Sequence, residues 1–215
     1  RTNKSIPRTG RCPRHRRRMA DIARRPCETG QLWQHNQHYF ASKSSLPLMR
    51  IRPESPADAS AINAVTERAF KEAPHSDGSE PHIVRALRDA AALAVSLVAE
   101  EDGVVVGHVA VSAVTLTAGS VAWYGLGPIS VEPARQGQGI GSLLMSAAIQ
   151  HLTELGAAGC VVLGDPAYYG RFGFAERPGL VYPGVPAEYF LALPLGASTP
   201  QGEVAYHAAF TSASG

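Results

Sequence analysis

No apolar run in this 215-residue chain approaches the roughly 18 residues that a membrane-spanning helix needs. The N-terminus has no short apolar segment between a basic start and a small-residue cleavage site, so no secretory signal is read. Cysteine is scarce: Cys12, Cys27 and Cys160 are odd in number and are not spaced as metal ligands. They fit a reducing compartment, with Cys160 as a buried small apolar residue. The eight histidines are scattered, and no metal site is expected. A soluble, cytoplasmic protein is the expectation. The 45% hydrophobic content excludes a wholly disordered chain and allows one domain with a sizeable core.

The net charge of +2 hides a split. Residues 1–48 hold eleven Lys or Arg against the two acids Asp21 and Glu28, a balance of +9; residues 49–215 hold the other nine basic residues against sixteen acids, a balance of −7. The basic segment sustains no helical or strand period, so it cannot bury enough apolar surface to offset ordering entropy. It is read as a disordered leader, consistent with upstream sequence translated from an over-extended start, and is set aside from the fold. Its Arg-rich run also suits anionic partners or organelle targeting, but neither nucleic acid nor a membrane is expected as a partner. Patterned sequence begins at Met49. The expected organisation is a leader (1–48), a domain (49–207) and a C-terminal tail (208–215).

Within the domain, Met49 to Arg52 reads as a short strand stopped by Pro53. Pro56 and Asp58 open a helix carrying Ala61, Ile62, Val65, Ala69 and Phe70 at helical spacing. Ser79 is the expected N-cap of a second helix through Ile83, Val84, Leu87 and Ala90. "VSLVAE" and "VVVGHVAVSAVTL" flank an Asp102-Gly103 turn, a hairpin pattern, and a turn at 118–120 leads to a third antiparallel strand, "VAWYGLGPISV". Gly125, Gly127 and Pro128 within it call for a bulge or a splayed end. A long helix then presents Ile140, Leu143, Leu144, Ala147, His151, Leu152 and Leu155 as one apolar stripe, ended by Gly156. The apolar "GCVVLG" reads as a strand buried on both faces. Asp165 and Pro166 start a brief helix closed by Gly173, and two strands follow in "AEYFLALPL" and "GEVAYHAAF". This order is that of an α+β domain.

The stretch "EPARQGQGIG" sets Gly137, Gly139 and Gly141 at alternate positions before the long helix. Glycines feeding a helix N-terminus expose backbone amides to the positive end of the helix dipole, a site for phosphate; they also simply permit a tight turn. No lysine follows them as a P-loop requires, and their spacing is not that of a dinucleotide fingerprint. The spacing does match Gln/Arg-x-x-Gly-x-Gly, here Gln136, Gly139 and Gly141, and "YYGRFGF" follows downstream with a Tyr-x-x-x-Gly-Phe ending. With antiparallel strands before the loop and a buried strand after it, the chain resembles the GNAT superfamily of acyl-CoA-dependent N-acetyltransferases over nearly all of residues 49–207.

The resemblance implies a mixed, mostly antiparallel sheet with helices on both faces, and acetyl-CoA as acetyl donor. It places the pyrophosphate of coenzyme A on Gln136, Gly137, Gln138, Gly139, Ile140, Gly141 and Ser142, and the pantetheine arm along Ile129, Ser130 and Val131. Tyr169 takes the role of general acid toward the departing thiolate, with Tyr168 as its apolar neighbour. The base is less defined, because no acid lies between Val121 and Val131. Glu132 at the strand end is the candidate; Glu72, His75 and Glu80 border the first interhelical loop, and His108 reads as a core histidine. A water chain serves equally well. The expected activity is acetyl transfer to a primary amine of a small molecule or peptide by direct attack, the acidic domain favouring a cationic acceptor. The alternative is a non-catalytic acyl-CoA sensor or scaffold on the same fold. A homodimer is compatible with either.

Overall fold

The computed structural model describes residues 48–74, 76–117, 119, 122–197 and 199–211. Residues 1–47 of the expected leader, His75, two residues of the 118–120 turn and residues 212–215 of the expected tail lie outside them.

Strand β1 (Met49–Pro53) leads through a 3-10 turn at Pro56–Asp58 into α1 (Ala59–Phe70). Ser55 closes that entry by giving its amide (2.7 Å) and its hydroxyl (2.8 Å) to the Asp58 carboxylate. Arg52 grips the same carboxylate through two N–H groups at 2.7 and 2.9 Å. Helix α2 (Glu80–Asp89) follows. Ser79 does not cap it with its side chain: its backbone is already helical (φ −78°, ψ −16°), which turns the hydroxyl away from the free amides.

Strands β2 (Leu93–Glu101) and β3 (Val104–Ala113) form the expected hairpin. Asp102 (φ 49°) and Gly103 (φ 83°) both take left-handed backbone at its turn, the geometry that matches strand twist. The run read as one long strand breaks after Ala113, because Thr115–Leu116 (β4) leaves the sheet to pair elsewhere. Strand β5 (Trp123–Val131) pairs antiparallel with β3, and α3 (Ile140–Glu154) then carries the chain to β6 (Gly159–Leu163), which lies parallel to β5. A parallel pair needs such a crossover. After α4 (Pro166–Tyr169) come β7 (Leu180–Val181), β8 (Phe190–Pro194) and β9 (Gly202–Ala205). The main sheet runs β1-β2-β3-β5-β6-β8, with β5 and β6 its one parallel pair. The last expected strand, β9, is not in it but lies in a small sheet of order β4-β9-β7.

Helices cover both faces of the main sheet. Ile62 and Val65 of α1 pack with Val84 of α2 and with Val98 and Ala110, while α3 packs Leu144, Met145, Ala148 and Leu152 against Val95, Leu97, Val109 and Val111. Covered on both sides, β3 is buried over nearly its whole length. The buried line of α3 differs from the expected stripe. Ile140, Leu144, Ala148 and Leu152, spaced by four, with Met145, face the sheet, whereas Leu143 and Leu155 are 49% and 56% exposed. The apolar pattern is wider than one sheet face can cover, and the row through Leu143 and Ala147 sits on its outer edge. Burying a Leu or Met side chain stabilises by roughly 1.5–3 kcal/mol, so the inner row anchors the helix whose N-terminus builds the cleft described next. In the expected tail, the 3-10 turn Ala208–Phe210 packs Ala209 beside Ile83 and Leu87 of α2. No helix among the described residues is long and apolar enough to cross a membrane.

Candidate functional site

Strands β5 and β6 part company half-way along. Their pairing runs from Trp123↔Gly159 to Leu126↔Val162 and stops. Beyond it β5 skips a register step at Gly127-Pro128, rejoins β3 at Val109↔Ile129, and stays with it to Gly107↔Val131, while β6 continues against β8 to Leu163↔Phe190. Pro128 has no amide to give, so the ladder cannot continue through it. Glu132 donates its amide to Val106 of β3 at 2.9 Å. By the two-residue alternation of a strand, the amides of Ile129 and Val131 point the other way, into the opening.

That opening is a cleft of about 590 Å³ lined by Ile129 and Val131 on one wall, Gly164, Tyr168 and Tyr169 on the other, and the glycine loop at its end. The loop leaves β5 through a 3-10 turn at Pro133–Arg135. Gly137 (φ 73°) and Gly139 (φ 86°) then adopt left-handed backbone, which costs an L side chain about 1–2 kcal/mol. Gly141 is helical, and its requirement is room: a Cβ there would lie 3.0 Å from the Tyr168 hydroxyl. The three glycines therefore answer two needs, two of backbone sign and one of close approach. Leu143 donates the first intrahelical bond, to Gly139 O at 3.0 Å, so the amides of Ile140, Gly141 and Ser142 precede the ladder at the cleft end, where the helix dipole is positive.

Two cations line the same cleft and went unremarked in the sequence, although both sit inside motifs quoted above. Arg135 is held by an ion pair to Glu101, with its Nε buried and no protein acceptor against it. Arg171 donates Nε to the Tyr168 carbonyl at 3.1 Å and stacks its guanidinium 4.5 Å from the Tyr168 ring centroid. Asp165 also lines the cleft and caps α4, accepting from the Ala167 amide at 2.8 Å.

Of the other sequence candidates, Ile129, Val131, Gln136, Gly137, Gly139, Ile140, Gly141, Ser142 and Tyr169 line the cleft, while Ser130, Glu132 and Gln138 do not. Ser130 faces the other side of the sheet, its hydroxyl 3.1 Å from that of Thr66 on α1. The Gln138 side chain turns back to the Ala134 carbonyl at 3.2 Å. Both Glu132 oxygens are engaged by Arg68 of α1, at 2.7 to 3.0 Å. His108 is a core residue, its Nε2 2.9 Å from the Ser96 hydroxyl and its pKa lowered by burial. The Tyr169 ring rests against Gly164 at the end of β6 and meets Tyr168 edge-on at 4.9 Å between centroids. Burial pushes the Tyr169 phenol up to about 12, so it carries its proton throughout the neutral range. Burial also pushes the Cys160 thiol up, which leaves it a packing residue. No cluster of three or more His, Cys, Asp or Glu able to hold a metal occurs among the described residues.

A family model described as Acetyltransferase (GNAT) family matches residues 62–174. The chain belongs to the GNAT acetyltransferase family. It is 51% identical to a GNAT family acetyltransferase from Brucella melitensis solved in complex with acetyl-CoA, over 76% of this chain and 98% of that one, with a TM-score of 0.68. The structure of YhbS from Escherichia coli in complex with CoA matches 77% of this chain and 92% of its own, at 34% identity and a TM-score of 0.69. In sequence, the uncharacterized N-acetyltransferase YhbS of Escherichia coli strain K12 is 41% identical over 127 residues, 59% of this chain and 73% of the relative. The matched residues 62–174 include the glycine loop, the parted strands and Tyr169.

Proposed function

We propose that this GNAT protein transfers the acetyl group of acetyl-CoA to a primary amine of a small molecule or peptide. The observation that carries this reading is the union, in one cleft, of the parted β5 edge, the α3 N-terminus and the proton-bearing Tyr169. Those residues fit the donor chemically. Free amides and the dipole of α3, with Arg135 and Arg171 alongside, suit phosphate oxygens. The amides of Ile129 and Val131 suit an amide-bearing arm laid along the strand. The Brucella melitensis and Escherichia coli relatives solved with acetyl-CoA and CoA support the same assignment.

When bound, acetyl-CoA supplies an acetyl group activated as a thioester. The chain's own part is to orient and to move protons. A β5 amide directed into the opening stabilises negative charge developing on the carbonyl oxygen. Tyr169, kept protonated by burial, donates to the departing sulfur. Glu132 acts as a strut between β5 and α1, since Arg68 occupies both its oxygens.

The test is a panel of amines, amino acids, polyamines and peptides with free N-termini, incubated with acetyl-CoA while free thiol is monitored. Acceptor-dependent thiol release that falls at least tenfold in Tyr169→Phe supports the enzyme. The engagement of Glu132 by Arg68, which leaves the cleft without that base, favours a second reading as an acyl-CoA sensor; coenzyme A binding with no thiol release from any acceptor selects it.

A further inference from the structure

The two cations that line the donor cleft are not equivalent. Arg135 is neutralised by Glu101. Arg171 forms no ion pair among the described residues, and Asp165, the carboxylate in the same cleft, accepts from the Ala167 amide. Arg171 is exposed, yet it is held in place. Its Nε donates to the Tyr168 carbonyl at 3.1 Å, and its guanidinium lies 4.5 Å from the Tyr168 ring centroid and 5.6 Å from that of Phe172. Its two terminal amino groups have no protein acceptor among the described residues. A guanidinium fixed by its Nε and by one face, with the outer fork open, is set for bidentate contact with a phosphate.

The spacing indicates which phosphate. The Tyr168 hydroxyl abuts the start of α3, since a Cβ on Gly141 would lie 3.0 Å from it. The Tyr168 ring therefore spans from the α3 amides to the Arg171 guanidinium. In coenzyme A a ribose ring spans in the same way from the 5′-pyrophosphate to the 3′-phosphate. The charges divide likewise. Each phosphate of the pyrophosphate carries one charge, which suits backbone amides and a helix dipole. A phosphomonoester carries close to two at neutral pH and is best met by a full cation. We propose that Arg171 binds the 3′-phosphate of coenzyme A and so makes the cleft selective for donors that carry it. The inference rests on the reading of this cleft as the donor site. It leaves the pyrophosphate to the loop amides and Arg135, and it sets the adenosine on the α4 side of the cleft. A thioester whose pantetheine arm is carried on a protein has no 3′-phosphate and forgoes this contact.

The test is calorimetry of the full chain with coenzyme A and with 3′-dephospho-coenzyme A, which differ in that phosphate alone. The wild type binds coenzyme A about fivefold more tightly than the dephospho form, the upper end for an exposed ion pair. The gap narrows with added salt. In Arg171→Gln the gap closes: coenzyme A weakens to the level of the dephospho form, whose own affinity stays at the wild-type value. Gly139→Ala, which perturbs the loop and leaves Arg171 in place, weakens both ligands by the same factor and keeps the gap. Equal wild-type affinity for the two ligands overturns the proposal without any variant. An equal loss of both ligands in Arg171→Gln overturns it too, since that is the result of a guanidinium stacked on adenine or bound to the pyrophosphate. A wild type that binds neither ligand at millimolar concentration sinks the donor reading of the cleft itself.

Discussion

Replacing Gly139 by alanine tests whether the loop holds the donor through its backbone. Gly139 precedes α3 with φ at 86°, and no atom lies within 4 Å of a Cβ built there. The substitution therefore meets no clash, and its cost is the left-handed backbone, about 1–2 kcal/mol. For a chain of this size 1 kcal/mol lowers Tm by roughly 2–4 °C, so the ligand-free variant should melt some 2–8 °C lower. If the strain is relieved by rotating the loop, the amides of Ile140 and Gly141 turn away from the cleft and coenzyme A binds about tenfold more weakly, a loss of about 1.4 kcal/mol. Thermal unfolding with and without coenzyme A separates the two effects. A ligand at 100 times its Kd stabilises by about 2.7 kcal/mol; at the same concentration and a tenfold higher Kd it stabilises by about 1.4, so the ligand-induced shift roughly halves. Gly170→Ala is the control, since Gly170 has φ −58° and open space at its Cβ; its coenzyme A shift stays at the wild-type value. A Gly139→Ala protein that melts lower yet keeps the full coenzyme A shift would refute donor binding by these amides.

Tyr169→Phe keeps the ring against Gly164 and removes only the phenolic proton, so kcat should fall tenfold or more with coenzyme A affinity unchanged by calorimetry; equal kcat would assign the residue to packing. Arg171→Gln removes a cation from the cleft rim, and the Kd for coenzyme A should rise several-fold with a weaker dependence on salt, read by titration at low and high ionic strength; unchanged affinity places the phosphates elsewhere. Stability should also fall in acid. Bonds from Arg52, foremost, and from Ser55 hold Asp58 well below the usual carboxylate range. Burial alone would raise Glu54, but Arg88, His108 and Ser96 more than offset it and hold it low too. Both groups have lowered folded-state pKa values, so their contribution is fully present above the unfolded pKa near ~4 and is lost as pH falls through the folded values. Tm measured from pH 6 downward should decline below about pH 4, and less steeply in Glu54→Gln; parallel curves would contradict this linkage.

Short-range features were legible in the sequence because their causes are local. The Asp102-Gly103 hairpin requires two left-handed residues in succession, and the residues present tolerate that conformation. Asp165 and Pro166 start α4 through a cap two residues long. The misread features depend on partners distant in the chain. The apolar pattern of α3 is satisfied equally by two adjacent rows, and only the sheet beneath selects Leu144 and Leu152 over Leu143 and Leu155. Thr115 and Leu116 continue the strand pattern of β3, yet they pair with Ala205 and Val204, some ninety residues on. Ser79 is the N-cap position of α2, as its residue type suggests, but the helical backbone there leaves it without a side-chain capping bond.

The same distinction separates the two halves of the site. The loop end of the cleft is built from consecutive residues between Val131 and Ser142, so its glycines, its helix start and its bulged strand leave a compact pattern. Even there Arg135 and Arg171 passed unremarked, because a cation in a loop is common and only the folded chain turns both toward one cleft. The opposite face has no such pattern. Gly125 and Tyr206 are brought together by strand register and by a second sheet, and Glu132 lies beside the motif but is paired with Arg68, 64 residues earlier. In the proposed function, donor recognition rests on backbone geometry, which needs glycine at fixed places and so marks the sequence. Contacts assembled from distant side chains, such as Arg68 with Glu132, leave no comparable mark.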